Sequence, residues 1–184
     1  MTSAAHGVMN DIGTDPETGL LNRQGLTRRA RELLWLESLQ HGVLACMVFR
    51  VLVDAGDPDR IARHCAATIQ GAVRLSDVVA RVASTDFAVV APDTDARGAR
   101  KLAERLAQAI RQHFAQADSS RVRIVVGFEV VSNLARAPIG AEALLLRATS
   151  ALRAGKPEGE SRWIRRFGDA IERPAALEEQ LVSA

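Results

Sequence analysis

Val78-Val-Ala-Arg-Val-Ala-Ser-Thr-Asp-Phe-Ala-Val-Val-Ala-Pro92 carries two apolar runs, Val78 to Ala83 and Phe87 to Pro92, on either side of Ser84, Thr85 and Asp86. Two short runs rich in β-branched and small apolar residues around a short polar break predict two strands joined as a hairpin. On the N-terminal side, Val43 to Val53 is apolar except at Arg50, the signature of a strand buried on both faces. Between these strands, Asp57 and Pro58 form an N-cap and first helical residue. The helix they open runs to about Arg74, with Ile61, Cys65, Ile69, Ala72 and Val73 inward. Upstream, a helix is expected over about Asn22 to Gln40, with Leu26, Ala30, Leu33, Leu34 and Leu36 as its apolar stripe and Gly42 ending it.

On the C-terminal side of the hairpin the pattern switches to a long helix, about Asp95 to Ala117, whose inner face is Ala99, Leu102, Ala103, Leu106, Ile110 and Phe114. A strand over Val122 to Val131 follows. Next come a helix over Gly140 to Arg153, with Leu144, Leu145, Ala148 and Leu152 inward, and a short strand near Trp163 to Phe167. The order helix, strand, helix, hairpin, helix, strand, helix, strand implies an α/β sandwich with a mixed central sheet. Residues 1–14 read as a small, polar tail, and Pro174 to Val182 as a short amphipathic helix.

With 184 residues, 47% apolar and 25% charged, the chain has the composition of one globular domain with short tails. No apolar run approaches the ~20 residues of a membrane span, and Met1 to Gly13 lacks a signal-peptide pattern. Of 24 basic residues only Lys101 and Lys156 are Lys. Arg is a bidentate phosphate binder, but a net charge of +2 with Arg in every segment argues against a nucleic-acid face. Aromatic content of 4% without Tyr argues against a base-stacking platform. Cys46 and Cys65 read as small buried hydrophobes, and the dispersed histidines His6, His41, His64 and His113 lack metal-ligand spacing. No Walker loop or Gly-x-Ser-x-Gly elbow occurs.

Three collinear segments resemble the GGDEF domains of the diguanylate cyclase family. Asp15-Pro-Glu-Thr-Gly-Leu-Leu-Asn-Arg23 is similar to the family's Asp-x-Leu-Thr-Gly-Leu-x-Asn-Arg entry. Arg81-Val-Ala-Ser-Thr-Asp-Phe-Ala-Val-Val-Ala-Pro92 is similar to Arg-x-Gly-Gly-Asp-Glu-Phe-Ala-x-x-x-Pro, and Arg147 to Lys156 to Arg-Ala-Asp-x-Ala-Leu-Tyr-x-Ala-Lys. The resemblance spans about residues 15–168 and implies the nucleotidyl-cyclase-like, ferredoxin-like three-layer sandwich. It also implies an activity, the joining of two GTP molecules into cyclic di-GMP by paired domains, with Mg²⁺ offsetting the charge of phosphoryl transfer.

At the places where that chemistry sits, the sequence departs from the family. Ala83-Ser84-Thr85-Asp86-Phe87 stands for Gly-Gly-Asp-Glu-Phe, so both glycines are lost and Thr85 replaces a metal-binding carboxylate. The first-strand carboxylate has no counterpart, its place falling on Phe49 or Arg50. The guanine-reading segment is shortened to Asp54-Ala-Gly-Asp-Pro-Asp59, where Asp59 matches the family's terminal Asp or serves as a helix N-terminal acid. Asp59, Asp86 and Lys156 are thus the remnants of a GTP pocket, although Lys156, flanked by Gly155 and Pro157, reads first as a solvated helix-end residue. The expectation is a degenerate, catalytically inactive domain with no catalytic residue, metal or cofactor. Mg²⁺ enters only under the alternative of a surviving cyclase.

Arg74-Leu-Ser-Asp77 matches the family's Arg-x-x-Asp inhibitory site, five residues before the hairpin motif, where relatives bind cyclic di-GMP. Arg81 is a candidate further contact. The same four residues also read as a local salt bridge at a helix end. The functions expected are a regulatory or protein-interaction module that binds cyclic di-GMP, a surviving cyclase, or a scaffold without nucleotide. Asp169 to Ala184 resembles the linker helix leading to an EAL phosphodiesterase domain, which makes such a domain, another protein or a second copy the expected partner, with no nucleic acid and no membrane. A cytoplasmic setting follows from the same reading.

Overall fold

The computed structural model describes residues 12–54, 56–117, 122–136, 138–156 and 163–168. The elements are α1 (Arg23–Gln40), β1 (Val43–Val53), α2 (Pro58–Ala72), β2 (Val78–Arg81), β3 (Asp86–Pro92), α3 (Ala96–Ala117), β4 (Val122–Ser132), α4 (Ala141–Ala154) and β5 (Ile164–Arg166). They form one sheet of order β2-β3-β1-β4-β5. β1 pairs antiparallel with β3 and β4, β2 pairs antiparallel with β3, and β5 runs parallel to β4. The mixed sheet with its antiparallel hairpin is the architecture expected from the sequence.

β1 lies at the centre, and the period of two along a strand sorts its side chains between two cores. Ala45, Met47, Phe49 and Val51 pack with residues of α2 and α3, whereas Leu44, Cys46 and Val48 pack with residues of α1 and α4. The sheet is therefore the middle of three layers. Both cysteines are buried and free, and burial pushes both thiols up to about 12. α4 reaches the sheet over Gly127, where a Cβ would sit 2.0 Å from the Leu152 amide nitrogen, too close for any other residue.

α1 starts as the sequence predicts, with the Asn22 side chain accepting the Gly25 N–H at 2.9 Å. Its end differs. His41, at φ 56°, is the left-handed C-cap, and Gly42 follows it. Leu36 is 41% exposed, and Glu37 takes the inward position beside it. Gly42 packs against the Glu37 carboxylate, and a Cβ there would meet Glu37 Oε2, so any other residue at this position would have to displace that side chain. The expected N-terminal tail, up to residue 11, and the Pro174 to Val182 helix lie outside the described residues. Among the described helices none is long and apolar enough to cross a membrane.

Candidate functional site

Charged side chains gather at both ends of β2, β3 and β1. At the hairpin end, Arg50 and Asp86 are cross-strand partners in the β1–β3 ladder. Arg50 Nε and Nη2 donate to Asp86 Oδ1 and Oδ2 at 2.9 and 2.7 Å, a bidentate fork. The Asp86 side chain is largely buried, while that of Arg50 remains 41% exposed. The bond to Asp86 raises the Arg50 guanidinium above its ordinary range against the opposing effect of burial. Of the two candidates for the first-strand position, Phe49 is buried in the core shared with α2 and α3, and Arg50 shares a strand face with Asp86.

Beside this pair, Arg81 is almost fully buried and works as a structural clamp. Its Nη2 donates to Asp59 at 2.8 Å and its Nη1 to Asp15 at 3.3 Å, while Nε and Nη2 both reach the Ser84 carbonyl. One guanidinium thus ties together the N-terminal turn, the first turn of α2 and the hairpin. Burial opposes its charge, and the bonds to Asp59 and Asp15 more than restore it. For Asp15, burial raises the pKa, but the bonds from Thr18 and Arg81 outweigh it and hold the carboxyl below its ordinary value. A hollow of about 380 Å³ beside the clamp is lined by Asn22, Arg23, Gln24, Ala83 and Ser84. Lys156 is exposed after the Gly155 cap of α4 and is not among the residues lining this hollow.

The resemblance implies a divalent cation at the hairpin, and the residues present do not fit one. Both Asp86 oxygens lie in the Arg50 fork, so the charge at this position is already balanced by a cation of the chain's own. The adjoining Thr85 offers a neutral hydroxyl where a hard ion needs anionic oxygen.

The opposite end of the same strands is built differently. The turn before β2 closes on itself: the Asp77 carboxylate accepts the Arg74 backbone N–H at 2.8 Å, and the Asp77 N–H donates to the Arg74 carbonyl at 3.0 Å. No ion pair joins the two side chains. The Arg74 guanidinium is exposed and has no partner among the described residues, and Asp77 Oδ1 is a buried acceptor without one. Both residues line a groove of about 510 Å³ together with Asp93, Lys101 and Arg105. Arg105 donates to the Ala72 carbonyl at 2.9 Å, which ties α3 to the end of α2. On the other side of the turn, Arg74 and Asp77 also line a second groove that Arg29 and Leu33 of α1 border. Leu75, which also lines this second groove, stands fully exposed.

The structure thus brings Arg74 and Asp77 together and places Arg81 elsewhere, buried in the clamp and absent from the groove's lining. Lys101 and Arg105 were missed by sequence reasoning. Their spacing of four residues on an amphipathic helix puts both on one face, but only the fold shows that this face meets the Arg74 turn.

This is an α/β three-layer domain of the nucleotidyl-cyclase type, with a groove at one end of its hairpin lined by three basic side chains, Arg74, Lys101 and Arg105, and three acidic ones, Asp77, Asp93 and Asp95. The chain belongs to the GGDEF family: the family model described as diguanylate cyclase, GGDEF domain, matches residues 12–162. No curated protein matches the chain. Solved structures share the fold at low identity. The GGDEF domain of DgcB from Caulobacter crescentus, in complex with c-di-GMP, is 18% identical, with 88% of this chain and 99% of that chain covered and a TM-score of 0.67. A truncated form of TpbB (YfiN) from Pseudomonas aeruginosa comprising only the GGDEF domain is 22% identical over 84% and 94% of the two chains, with a TM-score of 0.66. Diguanylate cyclase SiaD from Pseudomonas aeruginosa, in complex with its activator SiaC, is 22% identical over 82% of this chain and 60% of that one, with a TM-score of 0.56.

Proposed function

We propose that this chain is a catalytically silent GGDEF domain that acts as a regulatory, protein-interacting module in cyclic di-GMP signalling and binds cyclic di-GMP in the groove at Arg74 and Asp77. The observation that carries the reading is the Arg50 fork on Asp86. A guanidinium there puts a fixed positive charge where phosphoryl transfer needs an exchangeable, metal-ligating anion. The ion pair must be broken before that carboxylate serves any other partner. Losing one transition-state stabiliser typically costs about 10²–10³ in rate. Here Thr85 and Arg50 replace two, so no useful turnover remains.

At the groove, the chemistry suits a cyclic dinucleotide. The exposed Arg74 guanidinium offers paired donors to a phosphodiester or a guanine acceptor edge, and Asp77 Oδ1 is an acceptor for the guanine N–H edge. Lys101 and Arg105 add cationic donors from the same chain. The c-di-GMP complex of a domain with this fold, and the activator complex of another, favour a ligand-binding and partner-binding role. On this reading residues 15–168 form the domain, residues 169–184 lead toward an EAL-type or other partner, and the module works in the cytoplasm without a metal.

The test is incubation with GTP and Mg²⁺ or Mn²⁺, followed by chromatographic analysis. No cyclic di-GMP is expected to form. Formation of product above a no-enzyme control, by protein that retains Arg50, overturns the silent reading.

A further inference from the structure

The wall of the groove that Asp93 forms is backed by an enclosed carboxyl group. Glu37, in the last turn of α1, is 8% exposed, and its Oε2 has no hydrogen-bond partner among the described residues. The α1–β1 connection is closed against it, since even a Cβ at Gly42 would overlap that oxygen. The β1–β3 ladder brings Asp93 to the same place: Leu44 faces Pro92, and Asp93 follows. Burial pushes the Glu37 carboxyl up, and the charge of Asp93 pushes it further in the same direction.

The surrounding backbone is held in unusual conformations. Among the described residues, His41 at φ 56°, Asp93 at 48° and Asn133 at 61° are the non-glycine residues in the left-handed region, and all three bracket the start of β1, where Val43 pairs with Ser132. Such conformations persist only where neighbours over-determine them, and they gather at functional positions. Asp93 is the charged neighbour that acts on Glu37, and the ionisable groups that line the groove with Asp93 can be named by element. α1 contributes His41, the segment after β3 contributes Asp93 and Asp95, α3 contributes Lys101 and Arg105, and the turn before β2 contributes Arg74 and Asp77. The starts and ends of β1 and β4 bring Val43, Ser132 and Asn133, none of which titrates, and the turn after β4 brings the cationic Arg136, whose backbone N–H donates to the Asn133 carbonyl.

We propose that Glu37 is a proton-linked regulator of the groove: protonation of Glu37 and binding of a phosphodiester anion beside Asp93 favour each other. This inference rests on the groove being the cyclic di-GMP site. With Glu37 ionised, two neighbouring carboxylates oppose an incoming dianion. With Glu37 protonated, one of those charges is gone and the Lys101, Arg105 and Arg74 cations act with less opposition. The sign follows. An anion in the groove raises the Glu37 pKa still further, so binding takes up a proton and affinity increases as pH falls. The ligand's phosphodiesters are strong acids and stay ionised throughout.

The experiment is calorimetric titration of the full chain with cyclic di-GMP at about pH 5.5 and about pH 7.5, in buffers of different protonation enthalpy. The expected result is affinity roughly five- to tenfold greater at the lower pH, with proton uptake. Glu37→Gln should bind with little pH dependence and no proton uptake, and His41→Gln should retain the dependence. If Glu37→Gln fails to fold, Asp93→Asn, which removes the charge that raises the Glu37 carboxyl, should move the pH dependence to lower pH, and a profile unchanged in position overturns the inference. Binding that is independent of pH in the wild type, or a dependence that survives in Glu37→Gln, overturns this inference and leaves the groove reading standing. No binding at either pH overturns the groove reading and this inference with it.

Discussion

The two ends of the β2–β3 hairpin share strands and differ in how their charges are spent. At the closed end Arg50 grips Asp86, and Arg81 grips Asp15, Asp59 and the Ser84 carbonyl. At the open end Arg74 has no partner among the described residues, and Asp77 satisfies its own turn with one oxygen while leaving the other unbonded. A charge already paired within the chain contributes to holding the fold, and a ligand must compete with that pair to use it. A charge left unpaired beside a cavity is available to a ligand without such competition. Family-level expectation alone would put chemistry at the hairpin and inhibition at the turn. The distribution of ion pairs puts paired charge at the hairpin and unpaired charge at the turn, and the proposed recognition site follows the unpaired charge.

Removing the clamp should break the closed end most severely. Arg81→Ala leaves Asp15, Asp59 and the Ser84 carbonyl without a buried donor. A loss of about 2–4 kcal/mol is expected, read by urea unfolding. Cyclic di-GMP affinity should stay within about twofold in protein that remains folded, a factor worth less than the 1.4 kcal/mol of a tenfold change. An equal loss of binding would erase the contrast between the ends.

Arg50→Ala should have a smaller effect, about 1–3 kcal/mol, because it strands a largely buried Asp86 but leaves Arg81 in place. It should not create cyclase activity, since Thr85 remains. Turnover gained by this single change would show that Arg50 alone silences the hairpin.

The smallest effect concerns acid. The folded pKa of Asp15 is depressed below its ordinary 3.8, so its contribution is present above that value and fades as pH falls through the folded value. Acid unfolding monitored by circular dichroism should therefore begin at higher pH in Asp15→Asn. Glu37, raised rather than lowered, has the opposite sign: its ionised form is the disfavoured one.

Much of the fold could be read from residue patterns because each strand and helix announces its own burial. The apolar run of β1, the inward stripe of α3 and the start of α1 near Asn22 all appear where their spacing places them. β2 ends at Arg81 rather than at Ala83, because the chain turns at Val82, whose N–H donates to the Asp86 carbonyl. Periodicity does not register that event. Leu36 and Glu37 exchange roles for a similar reason: the left-handed His41 cap and the bare Gly42 leave room for a carboxylate that hydropathy alone would send to solvent. The Arg74 and Asp77 pair was visible as a motif. The Arg50 fork and the arrival of Lys101 and Arg105 required the strand register and the α3 packing, which link residues 36 and about 30 positions apart.

Calorimetric titration of the wild-type chain with cyclic di-GMP, run beside Arg74→Ala and Asp77→Ala, tests the central claim most directly. Saturable binding is predicted, weakened roughly 10- to 100-fold by Arg74→Ala, in keeping with the 1.5–3 kcal/mol of a charged hydrogen bond, with Asp77→Ala also impaired. Wild-type protein shown to be folded by circular dichroism that releases no heat of binding, or binding that both variants retain in full, would contradict it.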